Sequence, residues 1–261
     1  MHIKAATSGK APDCVVMNVT VRSMKLHGGA FGDRGGIRPD KATLEAENVE
    51  ATTLGAKTNL DRHIRNMAAF GVPVVVSINR FASDTDAELA AIAQAARDSG
   101  ASSVCITEVH AKGGEGGKDL AEAVVKAVQN HVAAGRPFVP MFTPETDVLD
   151  KATAIAQRMY KADDLDMTPQ ALRELERIRS WGYGHLPVCM AKTQYSFSHD
   201  ASLLGAPTGF TIPVREFRLN AGAGFIVAVL GNMMTMPGLP KRPAALDMDM
   251  DEDGNLLGVF G

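Results

Sequence analysis

Two rhythms of apolar residues alternate along the first half of this chain. Short β-branched runs, "CVVMNVTV" at residues 14–21, "VPVVVSIN" at 72–79 and "SSVCIT" at 102–107, predict buried strands, and "PFVPMF" at 137–142 is read as another. Between them apolar residues recur at helical spacing. The first such stretch runs over about 44–70, with "NLDRHIRNMAAF" its clearest part and Gly71 its stop. The second, "DAELAAIAQAARDSG", has Ser83, Asp84 and Thr85 as candidate caps and Gly100 as its end. The third covers Lys118 to Ala134. Strand and helix alternating at these lengths predict an α/β fold of parallel βαβ units, with helices on the sheet faces.

Beyond Pro144 helical patterns occupy roughly 145–161 and 168–181, joined by "ADDLDM". The remainder, "VCMAK", "TGFTIPVREFRLN", "GFIVAVLGNMMT" and "AALDMDMDEDGNLLGVF", reads as strands separated by Gly and Pro turns. Two parts are therefore expected: an α/β region over 1–184 and a smaller α+β, mainly antiparallel C-terminal domain over 185–261. In a parallel sheet ligands gather outside the carboxyl ends of the strands, where the loops after Thr20, at Arg80 to Asp84 and at Glu108 to Gly117 share one edge.

Composition narrows the partners. A net charge of -3 gives no electrostatic reason to expect nucleic acid or an anionic membrane, and no stretch approaches the ~20 apolar residues of a span. Cys14, Cys105 and Cys189 stand singly without CxxC spacing, which indicates neither a disulfide framework nor a zinc site and suits a reducing cytoplasm. Only a short polar lead precedes the first strand-like run, as if the fold were entered partway.

Several motifs tempt and fail. The glycine-rich "HAKGGEGGKDL" has Lys112 and Asp119 where a Walker A loop needs Gly and Ser or Thr. "SINRFA" has Ala82 where the guanine-reading NKxD element needs its Asp acceptor. "DMDMDEDGNLLGVF" has Phe260 where a calcium loop needs a bidentate Glu, so a hairpin turn at Asp253-Gly254 explains it better. "YSFSHDAS" lacks the strand-turn-helix frame of a nucleophile elbow, and "GNMMTMPGLPKRP" reads as core methionines with a rigid turn. No metal site is expected.

Read together, "TVRSMKLHGG", "FGVPVVVSINRFASDTDAEL", "EVHAKGGEGG" and the long "GYGHLPVCMAKTQYSFSHDASLLGAPTGFTIPVREFRLNAGAGFIVAVLGNMMTMPGLPKRPAA" resemble the formate-tetrahydrofolate ligase (formyltetrahydrofolate synthetase) family over essentially the entire chain. The resemblance implies ATP-dependent ligation of formate to tetrahydrofolate, through formyl phosphate, giving 10-formyltetrahydrofolate in one-carbon metabolism. It implies ATP with Mg²⁺, formate and tetrahydrofolate as substrates, no bound cofactor, a cytoplasmic location and a homo-oligomer, since the family is similar to homotetramers. The chain resembles the C-terminal half, so the phosphate loop and the catalytic residues of phosphoryl transfer are expected in an N-terminal half or subunit.

The family's pterin pocket maps in part onto this chain. Its INRFP aromatic matches Phe81 and its proline Ala82; the tryptophan of EVWAKGG falls on His110, and the apolar residue four positions earlier on Ile106. Gly113 and Gly114 would let backbone approach a flat heterocycle that stacks on Phe81. Arg22, Lys25 and His27 are expected either to face phosphate or the folate tail or to be solvated helix charges. The alternative is a non-catalytic folate-binding or assembly module, favoured by the replacements at Ala82 and His110; an unrelated small-molecule α/β enzyme is a third reading, against which the long C-terminal match stands.

Overall fold

A computed structural model describes residues 1, 3–31, 41–231, 242–253 and 256–257. Its elements run α1 (Lys4–Ser8), β1 (Val15–Val19), α2 (Val21–His27), α3 (Lys41–Glu45), α4 (Val49–Gly55), α5 (Asp61–Ala68), β2 (Val74–Asn79), α6 (Asp86–Asp98), β3 (Ser103–Thr107), α7 (Val109–Lys112) and α8 (Lys118–Ala133). Then follow α9 (Val148–Ile155), β4 (Asp164–Met167), α10 (Pro169–Ser180), β5 (Val188–Ala191), β6 (Thr211–Asn220) and β7 (Phe225–Leu230). Two compact units emerge, Met1–Gly231 and Asn232–Gly261. The expected 184/185 boundary falls between α10 and β5, within the first unit.

The α/β reading holds. Strands β1, β2 and β3 form a parallel sheet in that order, with Val15 opposite Val74 and Val75 opposite Ser103. Central β2 is buried along Val74 to Ile78, whereas flanking Val16 and Ile106 are 46% and 44% exposed. A parallel sheet covered on both faces buries β-branched residues at every position of its central strand, hence the unbroken run of valines. Val19, Met24, Leu60, Ile64, Val76, Ile78, Leu89 and Ile92 make the core beneath this sheet.

Helix ends follow the expected chemistry. Thr85 caps α6 in a capping box with Glu88, Gly71 and Gly100 take φ of 80° and 92° after α5 and α6, and Thr168 caps α10 with Pro169 at its start. The long helical stretch over 44–70 is less regular than its pattern. Between α4 and α5 the chain passes through a π-helical segment, Ala56–Leu60, and a second one, Ala156–Tyr160, follows α9. Periodicity is blind to one extra residue per turn, so neither was legible.

The second sheet has order β4-β6-β7-β5 and is mixed: β6 and β7 are antiparallel, while β4 with β6 and β5 with β7 are parallel. Its core joins Val148, Ile155, Leu175, Ile178, Val188, Ile212, Phe217 and Ile226 to Phe70 and Val72. The joining segment "ADDLDM" forms the edge strand β4, and "PFVPMF" forms no strand. Pro137 and Pro140 lack the N–H groups a ladder needs, and Val139 keeps one sheet-like bond, donating to the Phe70 carbonyl at 2.9 Å.

In the second unit, β8 (Asp249–Met250) and β9 (Leu256–Leu257) pair antiparallel, as the hairpin reading requires. Gly254 of that turn, Phe260 and most of "GNMMTMPGLPKRP" lie outside the described residues. Among the described residues no helix is long and apolar enough to cross a membrane, and no group of three or more His, Cys, Asp or Glu side chains is placed to hold a metal ion.

Candidate functional site

The carboxyl edge of the parallel sheet gathers three loops. After β1, Thr20 caps α2 in a box with Ser23, its hydroxyl accepting the Ser23 N–H at 3.1 Å. After β2 comes Arg80 to Asp84. After β3 come α7 and a 3₁₀ segment, Gly113–Gly117, that leads into α8. The last two loops are joined where Arg80 N–H donates to the Thr107 carbonyl at 3.0 Å.

Phe81 is the best-defined member of this edge. It is 36% exposed, and the Arg22 guanidinium lies 4.4 Å from its ring centroid, a cation–π contact on one face. Its backbone is clasped twice by one residue: Phe81 N–H donates to Asp84 Oδ2 at 2.8 Å, and Asp84 N–H donates to the Phe81 carbonyl at 3.0 Å. Arg22 Nε is buried with no hydrogen-bond partner among the described residues. Asp84, a candidate helix cap in the sequence, thus works on the loop while Thr85 does the capping.

Ala82, Ile106, His110, Gly113 and Gly114 all share this edge and are solvent-exposed. His110 sits in the short α7, whose Lys112 pairs with Glu108. The glycines separate into kinds. Gly113 takes φ 57° and ψ -141°, a conformation reserved for glycine, with open space where a Cβ would project. A Cβ on Gly116 would lie 2.5 Å from the Glu108 carbonyl group, so Gly116, absent from the sequence reading of the pocket, is the one that close backbone approach demands.

The basic residues of the TVRSMKLHGG motif part company. Arg22 reaches the edge, as above. Lys25 does not, which corrects both expectations for it: it is 1% exposed, with its ammonium 2.8 Å from Glu88 Oε1 and donating to the Ala46 carbonyl at 2.8 Å. The seven-residue α2 turns it inward against α6. His27 Nδ1 accepts the Gly205 N–H at 3.2 Å, and burial lowers its pKa, so it ties α2 to the loop before β6 as a neutral acceptor. Gly28 serves helix contact rather than a ligand: a Cβ there would sit 1.8 Å from the Ala51 carbonyl oxygen of α4.

Two carboxyls under this edge titrate in opposite senses. Burial pushes Asp84 up, and the Glu88 charge adds to the rise; the Phe81 N–H, Lys25 and Arg22 oppose it without cancelling it. Burial also acts to raise Glu88, but hydrogen bonds from Lys25 and from the Asn48 and Thr85 N–H groups outweigh it and hold its pKa down. The stability Glu88 contributes is present above the ordinary carboxylate range and lost as pH falls through its folded value. Asp84 has the reverse sign, since the folded chain holds its proton more tightly and stability is lost as pH rises through the folded value. Asp84→Asn should therefore leave Glu88 unopposed, and stability should fall more steeply from neutral to acid pH. Urea midpoints across that range test this; a slope equal to that of the parent chain would contradict it.

Comparison with known proteins agrees with the motifs. The family model described as formate–tetrahydrofolate ligase matches residues 1–260. The formate–tetrahydrofolate ligases of Acidiphilium cryptum (strain JF-5) and Paracoccus denitrificans (strain Pd 1222) are each 45% identical over 260 residues, which is 100% of this chain and 44% of each relative. The chain spans less than half the length of the curated relatives it matches.

Proposed function

The chain belongs to the formate–tetrahydrofolate ligase family, and from that premise we propose that it supplies the folate side of an ATP-dependent ligase that joins formate to tetrahydrofolate. In this reaction formate oxygen attacks the ATP γ-phosphorus, and ADP leaves formyl phosphate. The folate N10 then attacks the formyl carbon, the C–O bond to phosphate breaks, and N10 loses its proton as 10-formyltetrahydrofolate forms. Phosphoryl transfer relies on charge neutralisation by Mg²⁺ and cations. That step is assigned to the ATP-binding part of the family's length, on this or another polypeptide.

The observation that carries the reading is Phe81: an aromatic face at the ligand edge, backed by Arg22 and held at both backbone groups by Asp84. The free face of the ring takes the pterin by offset stacking. Ile106 adds apolar contact, and Gly113 and Gly114 present backbone without side chains. His110 stands where the family places tryptophan and offers a smaller stacking surface. Proteins that work as such ligases assemble as homo-oligomers in the cytoplasm by family resemblance, and the same is proposed here.

Complementation tests the activity. The chain is mixed with the ATP-binding part of a relative and given ATP, formate and tetrahydrofolate; turnover to the formyl product is expected, and a well-folded mixture that never turns over would sink the proposal. Phe81→Ala should weaken tetrahydrofolate binding by about 1–3 kcal/mol, the range for stacking a flat heterocycle on an aromatic side chain. His110→Trp should tighten it. Calorimetry reads both, and affinities that ignore both substitutions would remove Phe81 and His110 from the pocket.

A second reading, a folate-binding or assembly module without catalysis, is favoured by His110 and Ala82 at positions the family fills with tryptophan and proline. Tetrahydrofolate binding without turnover in the complemented mixture would select it.

A further inference from the structure

The chain carries a net charge of -3, yet four cations line one cleft of the first unit: Arg62 and Arg65 on α5, Arg158 in the π-helical segment after α9, and Lys161 at its end. Among the described residues no carboxylate lines it. The cleft holds about 320 Å³, at the small end of the roughly 300–1,000 Å³ of ligand sites. Its two walls are fastened together where Asn66 Nδ2 donates to the Met159 carbonyl at 2.9 Å, so the four charges belong to one frame.

The charges are incompletely used. Arg65 Nε pairs with Asp61 at 2.8 Å on its own helix, and Arg158 Nη1 donates to the Met141 carbonyl at 3.0 Å. Arg62 and Lys161 have no ion-pair partner among the described residues. Lys161 also adopts φ 60° and ψ 31°, a left-handed conformation that glycine takes at no steric cost. The chain thus places an unpaired ammonium at a backbone position that disfavours it. Exposed Val139 and half-buried Met141 complete the cleft with apolar surface.

We propose that this cleft binds a small phosphate-bearing organic molecule. Guanidinium groups present planar forks of donors that match phosphate oxygens, and an anion relieves the mutual repulsion of the cations. The apolar side beside Val139 and Met141 accommodates the organic part. This site shares no residue with the Phe81 edge and stands whether or not the folate reading does.

Calorimetry on the whole chain with ribose 5-phosphate and with inorganic phosphate tests it. Ribose 5-phosphate should bind saturably at one site and more tightly than inorganic phosphate. Arg62→Gln combined with Lys161→Gly should weaken it at least tenfold without lowering the melting temperature, because neither side chain has a partner among the described residues and glycine suits φ 60°. Arg62→Gln alone should weaken it in the same direction, which keeps the test valid if the double variant unfolds. Lys126→Gln, an exposed lysine of a different cleft, should leave binding intact. No saturable binding, undiminished binding by the variants, equal affinity for the two phosphates, or equal weakening by Lys126→Gln would each overturn the proposal.

Discussion

Lys25→Met should lower the unfolding free energy by about 3–5 kcal/mol, the usual effect of breaking a buried ion pair from one side. The ammonium and the Glu88 carboxylate are 1% and 0% exposed, so the substitution strands a charge with no water to receive it. The damage spreads, since Glu88 also accepts the Asn48 N–H at 2.8 Å and closes the capping box with Thr85, while Lys25 Nζ holds the Ala46 carbonyl. Four segments therefore meet at one pair: α2, the turn before α4, the cap of α6 and the end of α3. Urea unfolding followed by circular dichroism gives the difference. Adding Glu88→Leu to Lys25→Met should recover part of the loss, because an apolar pair removes the stranded charge; a single variant that loses less than about 1 kcal/mol would show the pair to be dispensable.

Gly28→Ala should be nearly as damaging, and Gly55→Ala should behave alike. The two glycines face each other across the α2 and α4 contact: a Cβ at Gly28 would lie 1.8 Å from Ala51 O, and one at Gly55 would lie 2.0 Å from Met24 O. Both obstacles are backbone, which has no rotamer to retreat into, so helices rather than side chains must separate. Overpacking of this kind costs about 1–3 kcal/mol and more where the backbone has to move. Melting temperatures of the two variants and of their combination test the claim. Once one glycine has driven the helices apart, the second substitution should add less than its separate effect; strict additivity would count against a shared contact.

The three parallel strands were legible because β-branched runs and glycine stops are local signals: the runs at 15–19, 74–79 and 103–107 became the parallel sheet, and Gly71 and Gly100 end the helices that precede β2 and β3. The hairpin over 249–257 was legible for the same reason. Strand β4 was not, since "DLDM" alternates weakly and is stabilised by parallel pairing with β6, some fifty residues later. Phe81 was found through resemblance and a motif. Its partner Arg22 was found by position, but nothing local shows which of Arg22 and Lys25 turns outward. That depends on where α6 lies, because Glu88 captures Lys25 and leaves Arg22 for the ring. The cleft of Arg62, Arg65, Arg158 and Lys161 was equally hidden, since its charges are nearly a hundred residues apart and the net charge averages them away.

The double clasp of Asp84 on Phe81 bears on the kinetics of recognition. A loop that must be ordered by its ligand slows capture and spends part of the interaction on its own immobilisation. Here both backbone groups of Phe81 are engaged before any heterocycle arrives, and Arg22 already occupies the rear of the ring. On the folate reading proposed above, an incoming pterin would meet a ring already held in place, and related heterocycles would then differ more in how slowly they depart than in how fast they are captured.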